Sequence, residues 1–373
     1  MSESETLFCG RTASQISALR ADLLGWYDEH QRALPWRGSE DPYAVWVSEI
    51  MLQQTQVATV IAYYERWMVS FPSVEALAEA TSDEVLEAWA GLGYYRRARA
   101  LHAGAQLVVG EHAGKLPSDL AGLRSLPGVG AYTAGAIASI AFGQVEPLVD
   151  GNVARVLSRL WALSDDPKSG SGARALWEIA AGLVDPARPG DFNQALMELG
   201  ATVCSPKSPA CLICPLREAC EGYSSGQPTD FPPAQIRVRQ KPVGARTAIV
   251  QAGIGEQARY LIVQRPADGL LGGLWEFPTV VVAGRELPCV ELLDAYLAKG
   301  LGLDSAASAN GRALGRIVHH FSHLKMTIEA ELRQIDADQS AMRVAEGARF
   351  VDAAGLEQVA MSAAMRKIEN LVD

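Results

Sequence analysis

The sequence predicts a multidomain protein in which an all-α N-terminal region precedes a smaller α+β domain. The chain has 373 residues, longer than one hydrophobic core usually serves. From Ser14 to about Gly222, apolar residues recur at spacings of three and four, which is a helical period. Later segments favour strands instead, at Ala245–Ala252, Arg259–Gln264 and within Arg316–Leu332. We expect further helices at residues 287–299 and 361–372.

The composition is typical of a soluble intracellular protein. No apolar run reaches the roughly eighteen residues of a membrane span, and the acidic start is unlike a secretory signal. We therefore expect a cytoplasmic protein without membrane contact. The net charge of −10 argues against a nucleic-acid partner, because phosphate neutralisation dominates that affinity. The basic residues are grouped, however, so a local positive face remains compatible with the acidic total.

A glycine-rich turn in the helical region predicts an anion site. In "LPGVGAYTAGAI", Pro127 ends one helix, and Gly128 and Gly130 permit a tight turn before the next. Backbone amides at a helix N-terminus attract a phosphate, although such a turn can simply connect two helices. Tyr132 is the single large side chain among glycine, alanine, serine and threonine, so its position calls for a functional reason.

Two acidic residues are candidates for chemistry. Asp150 in "LVDGNVARVL" precedes an amphipathic helix and predicts an N-cap, whose amides would favour the charged carboxylate at neutral pH. Glu49 in "VSEIMLQQTQV" shares a helical face with Val45, Trp46 and Leu52. A lone glutamate on a helix is usually solvated, but burial on this apolar face would raise its pKa towards that of a general acid.

Four cysteines are clustered in "CSPKSPACLICPLREAC". Cys204, Cys211, Cys214 and Cys220 follow the spacing C-x6-C-x2-C-x5-C, and such clustering in a reducing compartment predicts a metal centre. Unligated thiols are the weaker alternative, since four reactive groups would be crowded together. Four thiolates serve both zinc and an iron–sulfur cluster, so chemistry alone leaves the two open.

These motifs together carry a family resemblance. The cysteine spacing after "FNQALMELGA", with "SEIMLQQTQV", "GLGYYRRAR", "LPGVGAYTAGAI" and "LVDGNVARVL" in that order, resembles the helix-hairpin-helix DNA glycosylases of the endonuclease III superfamily, and most closely the adenine DNA glycosylase family. The resemblance implies a catalytic region at residues 1–222, with a six-helix barrel at about 30–144. An iron–sulfur subdomain would comprise residues 1–29 and 145–222, and the four cysteines would hold a [4Fe-4S] cluster.

The resemblance also implies an activity and its catalytic residues. The family removes adenine mispaired with 8-oxoguanine or guanine from double-stranded DNA, and we expect a monomer. Glu49 would protonate the flipped adenine at N7, and Asp150 would stabilise the oxocarbenium-like sugar. Tyr132 takes the position where bifunctional relatives hold a lysine that forms an imine. Since a phenol forms no imine, we expect a monofunctional enzyme that leaves an abasic site.

Further positions match the family's contacts with DNA and the adenine pocket. Gln54, beside Thr55, would plug the duplex, and Tyr94, near Leu92, would wedge it at the lesion, although both could be ordinary surface or core residues. Gly128 and Gly130 would hold a phosphate. The implied pocket and adenine-edge residues are Arg32, Leu34, Trp36, Arg37 and Gln194; Trp36 could equally be a core residue under a loop.

The region after the helices divides into a linker and a second domain. Residues 223–243 are rich in proline, serine and glycine and predict an interdomain linker. In residues 244–373, "GLLGGLWEFPTVVVAGREL" resembles the opening of a Nudix fold. Such hydrolases need a run of glutamates that hold magnesium, and only a lone Glu286 follows here. We therefore expect a catalytically dead domain used for recognition.

The resemblance assigns that recognition to Phe321, Ser322 and His323. The serine hydroxyl could accept the N7 hydrogen that distinguishes 8-oxoguanine, although a polar strand end is the plainer interpretation. Three other functions stay open from the sequence: a non-catalytic DNA-binding iron–sulfur protein, a thymine-mismatch glycosylase and, least favoured, a nucleotide hydrolase.

Overall fold

The computed structural model describes residues 8–234, 239–266, 268–303, 311–341 and 344–372. Parts of the predicted cluster subdomain (1–7) and of the predicted linker (235–238) therefore lie outside the described residues. The chain divides into two compact units, one formed by residues 1–79 and 100–236 and the other by residues 80–99 and 237–373. Within the described ranges, no helix is long and apolar enough to cross a bilayer.

The N-terminal part of the chain is helical, as the apolar spacing predicts. Its helices are α1 (Ala13–His30), α2 (Pro42–Leu52), α3 (Val57–Ser70), α4 (Val74–Glu79), α5 (Ser82–Ala88), α6 (Arg96–His112), α7 (Leu120–Ser125), α8 (Ala131–Ile140), α9 (Gly151–Leu160), α10 (Gly170–Leu183), α11 (Pro189–Thr202) and α12 (Glu221–Ser224). Pro42 and Pro189 occupy the first position of α2 and α11, where proline's missing N–H is not needed.

The core of the first unit holds the helices that carry the site. Buried side chains of α1, α9 and α11, such as Leu23, Leu157 and Phe192, pack into one apolar cluster. Small residues of α8 are buried in the same unit, and an added Cβ at Gly135 would approach the carbonyl oxygen of Pro147 to 2.1 Å. The small-residue sequence of α8 therefore allows the close packing that positions its first turn.

The second unit is built on one mixed sheet. Its strands are β1 (Lys241–Ala252), β2 (Arg259–Gln264), β3 (Trp275–Glu276), β4 (Thr279–Ala283), β5 (Gly311–His320), β6 (Leu324–Ile335) and β7 (Ala348–Val351), and its helices are α13 (Val290–Ala295), α14 (Ala353–Gln358) and α15 (Ala363–Glu369). The strand order is β3-β2-β1-β6-β5, with β4 paired to β1 and β7 paired to β2. The β1–β6 pair is parallel, whereas the other described pairs are antiparallel.

Alternate residues of β1 supply two apolar layers. Ile249 packs with Leu356 and Met365 of the C-terminal helices, and Ala248 packs with Leu293 of α13. Because successive side chains of a strand point to opposite faces, helices cover both faces of this sheet. The α+β prediction is thus confirmed.

The predicted linker ends earlier than the sequence suggests. Its composition extends to residue 243, but β1 begins at Lys241, where Lys241 and Pro242 pair with Leu324 and Lys325 of β6. Proline and lysine are poor strand formers, so their strand propensity does not predict this end of β1. Pairing with β6 stabilises it instead.

Candidate active site

Glu49 lies on α2 as a buried carboxylic acid. Asp41 caps this helix, and buried apolar residues surround the glutamate on it, so only 4% of Glu49 is exposed. Its Oε2 accepts a hydrogen bond from the hydroxyl of Tyr132. Burial raises the pKa of Glu49 to about 7, an effect that the Asp150 charge reinforces and the Tyr132 hydrogen bond opposes. The expected burial and the direction of the pKa shift are confirmed.

Tyr132 connects α8 to the other elements of the site. It lies in the first turn of α8, and its hydroxyl also lies 3.4 Å from Sδ of Met197 on α11. Burial, followed by the negative charges of Glu49 and Asp150, raises the pKa of Tyr132 well above its ordinary value. The phenol is therefore neutral near pH 7 and acts as a hydrogen-bond donor to Glu49.

Asp150 forms the predicted N-cap of α9. Its Oδ1 accepts from the backbone N–H of Val153 at 2.7 Å, and its Oδ2 accepts from the side-chain amide of Asn152 at 3.2 Å. The capping hydrogen bonds favour the charged form, as expected, but burial has the larger effect on the pKa. Burial raises the pKa of Asp150, and the hydrogen bonds from Val153 and Asn152 offset only part of that effect.

The three groups make one small acid–base site. The Tyr132 phenol donates a hydrogen bond to Glu49, a carboxylic acid whose pKa is raised to about 7. The Asp150 carboxylate, held by helix amides, is close enough to raise the pKa of both groups. Two carboxyl groups with different surroundings can divide the roles of proton donor and charge stabiliser. The arrangement is thus suited to protonating a leaving group while stabilising the positive charge that develops.

Glu198 is a charged residue of the site region that the sequence analysis missed. It is 1% exposed on α11, and its carboxylate accepts from Arg32 Nη2 at 3.0 Å and from Arg37 Nη2 at 2.7 Å. Burial would raise the pKa of Glu198, but the two arginines outweigh it and lower that pKa. The motif "NQALMELGA" contains this acid, and its pairing with two distant arginines leaves no local sequence signal.

The other predicted pocket residues separate into surface and core positions. Leu34, Arg32 and Arg37 line one surface groove. Trp36 is 6% exposed and packs edge-to-face on Tyr64 at 5.3 Å between ring centroids, so the core interpretation of this tryptophan is confirmed. Gln194 is half-buried on α11, one helical turn before Glu198.

The two residues expected to distort DNA both have left-handed backbone. Gln54 is exposed with φ of 58°, and Tyr94 is 47% exposed with φ of 51°. A non-glycine residue in this region costs about 1–3 kcal/mol, and such strain concentrates at functional positions. Thr55 is half-buried after Gln54, and Leu92 is buried before Tyr94. The exposed Gln54 is thus followed directly by a half-buried residue, and the exposed Tyr94 lies two positions after a buried one.

The predicted hairpin joins α7 to α8. Gly128 has φ of 76°, and an added Cβ there would lie 2.7 Å from Cβ of Ala100, so only glycine fits. Gly130 is the N-cap of α8 with extended backbone that any residue adopts, which differs from the expected need for glycine flexibility. Gly130 is exposed, and beyond its own chain neighbours no described atom lies within 4 Å of a Cβ placed on it.

Phe321, Ser322 and His323 form the tight turn between β5 and β6, which we call the reader turn. Ser322 and His323 are exposed, and the Ser322 Oγ lies 2.7 Å from the hydroxyl of Tyr94 in the same compact unit. Gln240 secures the turn: its amide Nε2 donates to the Phe321 carbonyl, and its Oε1 lies 2.9 Å from Nδ1 of His320. This glutamine was not predicted, because it lies in the presumed linker.

The four cysteines surround one small cavity next to α9. Arg159 on that helix is 3% exposed and donates to Sγ of Cys204 at 3.3 Å and to the carbonyl of Ser205 at 2.7 Å. In the part of the chain that the structure describes, no three histidine, cysteine or acidic side chains lie close enough to hold a single metal ion. Among the described residues that line the cavity, the metal-binding side chains are all thiols.

The chain matches two family models. Residues 47–181 match the helix-hairpin-helix (HhH-GPD) superfamily of base excision DNA repair proteins, and residues 250–371 match the NUDIX domain. Both models fall on the regions to which the sequence motifs point. The predicted order of a helical glycosylase region and a Nudix-like domain is confirmed.

Similar proteins include mammalian adenine DNA glycosylases. The human protein is 42% identical over 408 aligned residues, which cover 96% of this chain and 74% of the human one. The mouse protein is also 42% identical, with coverages of 95% and 78%. A solved thermostable thymine-DNA glycosylase superimposes with a TM-score of 0.52 and 28% identity, covering 57% of this chain and 98% of its own.

Proposed function

We propose, since this chain belongs to the adenine DNA glycosylase family, that it excises the adenine mispaired with 8-oxoguanine and leaves an abasic site. The chain is a DNA glycosylase of base excision repair; the identity of the opposite base and the release of an intact abasic strand are the proposed parts. The observation that carries the chemistry is the Glu49–Tyr132 hydrogen bond beside Asp150, with the Glu49 pKa raised to about 7.

In the proposed reaction, Glu49 gives its proton to N7 of the flipped adenine. The bond between the sugar C1′ and N9 then breaks, and its electron pair leaves with the base. Asp150 lowers the energy of the resulting cationic sugar by its negative charge, and water adds to C1′ and loses a proton. Tyr132 holds the Glu49 carboxyl by hydrogen bonding and, lacking an amine, forms no imine with the sugar.

The four cysteines would hold a [4Fe-4S] cluster in this proposal. A zinc ion bound at about 2.3 Å from each sulfur would draw four thiolates close together. The four described thiols line one shared cavity, a donor set that suits an iron–sulfur cluster as well as zinc, and the family resemblance favours the cluster. When bound, such a cluster would cross-link the four cysteines of the 204–220 loop to one another. Measured iron and labile sulfide would support it, whereas stoichiometric zinc would refute it.

The reader turn would sense 8-oxoguanine opposite the excised base. Two features support this assignment: Ser322 is exposed at the tip, and the segment after Pro278 is the strand β4 rather than an acidic magnesium-binding helix. The Nudix-like domain would therefore recognise the oxidised base without hydrolysing it. A duplex panel tests the function: adenine should be lost fastest opposite 8-oxoguanine, and activity on thymine opposite guanine instead would overturn the proposal.

The excision rate should depend on the protonation of Glu49. Since burial raises its pKa from 4.5 to about 7, the acid form is present below that pH and is lost as the pH rises through it. The single-turnover rate at saturating enzyme should therefore fall about tenfold per pH unit above about pH 7. A rate that stays flat to about pH 9 would show that Glu49 is not the titrating acid.

Gln240 should contribute to selectivity through the reader turn. Gln240→Met removes both of its hydrogen bonds, so we expect the preference for 8-oxoguanine over guanine opposite adenine to fall about tenfold. Gln264→Met is the matched control, because Gln264 also donates to a backbone carbonyl elsewhere in the sheet, at 3.2 Å. Equal losses on both mispairs, or equal effects of both variants, would contradict the role.

A further inference from the structure

Four basic side chains line one groove of the second unit. We call this the basic groove and define it by Arg239, Lys241, Arg285 and Lys325. All four residues are exposed, and the rest of the lining is formed by Gln240, Pro242, Val243 and Thr327. This concentration of positive charge stands out in a chain with a net charge of −10.

The sheet register explains why residues distant in sequence meet here. Pro242 of β1 pairs with Lys325 of β6, and Val243 of β1 pairs with Ala283 of β4. Arg285 follows the end of β4, while Arg239 and Lys241 lie at the start of β1. The groove therefore belongs to the fold of the sheet rather than to one charged stretch of sequence.

The four cations have no acidic partner among the residues that the structure describes. In the described ranges, none of them makes an ion pair, and the exposed neighbour Glu286 makes none either. Other arginines of the same sheet are paired: Arg246 with Glu329 at 2.6 Å, and Arg265 with Glu276 at 2.6 Å. Unpaired like charges brought together repel one another, so the groove is arranged for an anion that comes from outside.

We propose that the basic groove binds the phosphodiester backbone of the DNA strand that carries the oxidised guanine. The reader turn is adjacent: the Lys241 N–H donates to the His323 carbonyl at 3.0 Å, and Lys325 is two residues beyond His323. Two strand residues span about 7 Å, similar to the spacing of neighbouring phosphates along a strand. The choice of strand rests on the proposed function, whereas phosphate binding rests on the groove itself.

Salt dependence of binding to undamaged duplex tests the phosphate contact. Each phosphate contact contributes about −0.9 to the slope of log K against log salt, so Arg285→Gln with Lys325→Gln should reduce that slope by about 2. Arg259→Gln with Lys299→Gln is the matched control, since both are exposed basic residues of this unit outside the groove. Arg285→Lys with Lys325→Arg keeps the charges and should retain the slope.

An unchanged slope in the glutamine pair, or an equal change in the control pair, would overturn the proposal. So would a groove that binds an acidic peptide or a nucleoside triphosphate and whose neutralisation leaves the duplex slope intact. Adenine excision at saturating enzyme should be unchanged in the control pair Arg259→Gln, Lys299→Gln. Because undamaged duplex contains no lesion, this result does not depend on whether the enzyme prefers 8-oxoguanine.

Replacing single phosphates with neutral methylphosphonates then identifies which DNA strand the basic groove binds. Placed beside 8-oxoguanine on its own strand, they should weaken binding by the wild type but add little further loss to the Arg285→Gln, Lys325→Gln pair. On the adenine strand, their effect should be equally large in both proteins. If methylphosphonates on the 8-oxoguanine strand and the Arg285→Gln, Lys325→Gln substitutions weakened binding additively, the strand assignment would be contradicted. An enzyme that showed no preference for adenine opposite 8-oxoguanine would contradict only the proposed function.

Discussion

Glu49→Gln is expected to abolish adenine excision while leaving duplex binding intact. The amide keeps the shape of the side chain but has no acidic proton to give to the leaving adenine, so the single-turnover rate should fall by about 10³-fold. Excision is measured with enzyme in excess, and binding is measured on the same 8-oxoguanine:adenine duplex. Glu111→Gln, at an exposed glutamate of α6, is the control and should change neither quantity.

The same variant should be more stable than the wild type at alkaline pH. The pKa of Glu49 is raised from 4.5 to about 7 in the folded protein. Its protonation therefore contributes fully to the free energy of unfolding below about pH 4.5, and this contribution is lost as the pH rises through about 7. Glutamine avoids that loss, which amounts to at most about 3 kcal/mol. A higher Tm of Glu49→Gln than of the wild type at pH 8, but not at pH 4, would support burial of the Glu49 charge. Retained adenine excision in this variant would contradict the role of Glu49 as the acid.

Asp150→Asn is expected to lower excision by about 10²- to 10³-fold without unfolding α9. Asparagine caps a helix as well as aspartate does, so the bond from the Val153 N–H survives while the negative charge is lost. Asp150→Ala removes the cap as well and should cost about a further 1 kcal/mol of stability.

Comparing the two Asp150 variants separates charge from structure. If the asparagine variant excised adenine at the wild-type rate, Asp150 would be a cap alone. If it lost activity only together with stability, a structural role would explain the loss. Rates from single-turnover reactions and free energies of unfolding from urea titrations distinguish these outcomes.

The sequence predicted the elements better than it predicted their ends. Strong periodicity located the helices, Arg259–Gln264 was predicted with the bounds of β2, and Asp150 was identified as a cap. The start of β1 was missed because Lys241 and Pro242 join the sheet through pairing with β6, a long-range contact without local signature. Strand β4 was not predicted, because its segment was considered only for the absence of magnesium-binding glutamates. Its valines are nevertheless good strand formers.

The site shows the same limit. The apolar face around Glu49 predicted its burial, and the position of Asp150 predicted a cap that favours its charge. The burial of Asp150, which outweighs the cap and raises its pKa, was not predicted. Glu198 was missed since its arginines lie more than 160 residues away in the chain. Net charge was also a poor guide to a DNA-binding protein, as total charge carries no information about where the cations lie.

The most direct test follows adenine release and strand breakage in the same single-turnover samples on an 8-oxoguanine:adenine duplex. With Glu49 as acid and Tyr132 unable to form an imine, free adenine should appear while the strand stays intact until alkali is added, and borohydride should trap no covalent complex. Strand breaks that accompany adenine release before alkali, or a trapped complex with wild-type enzyme, would contradict a monofunctional mechanism.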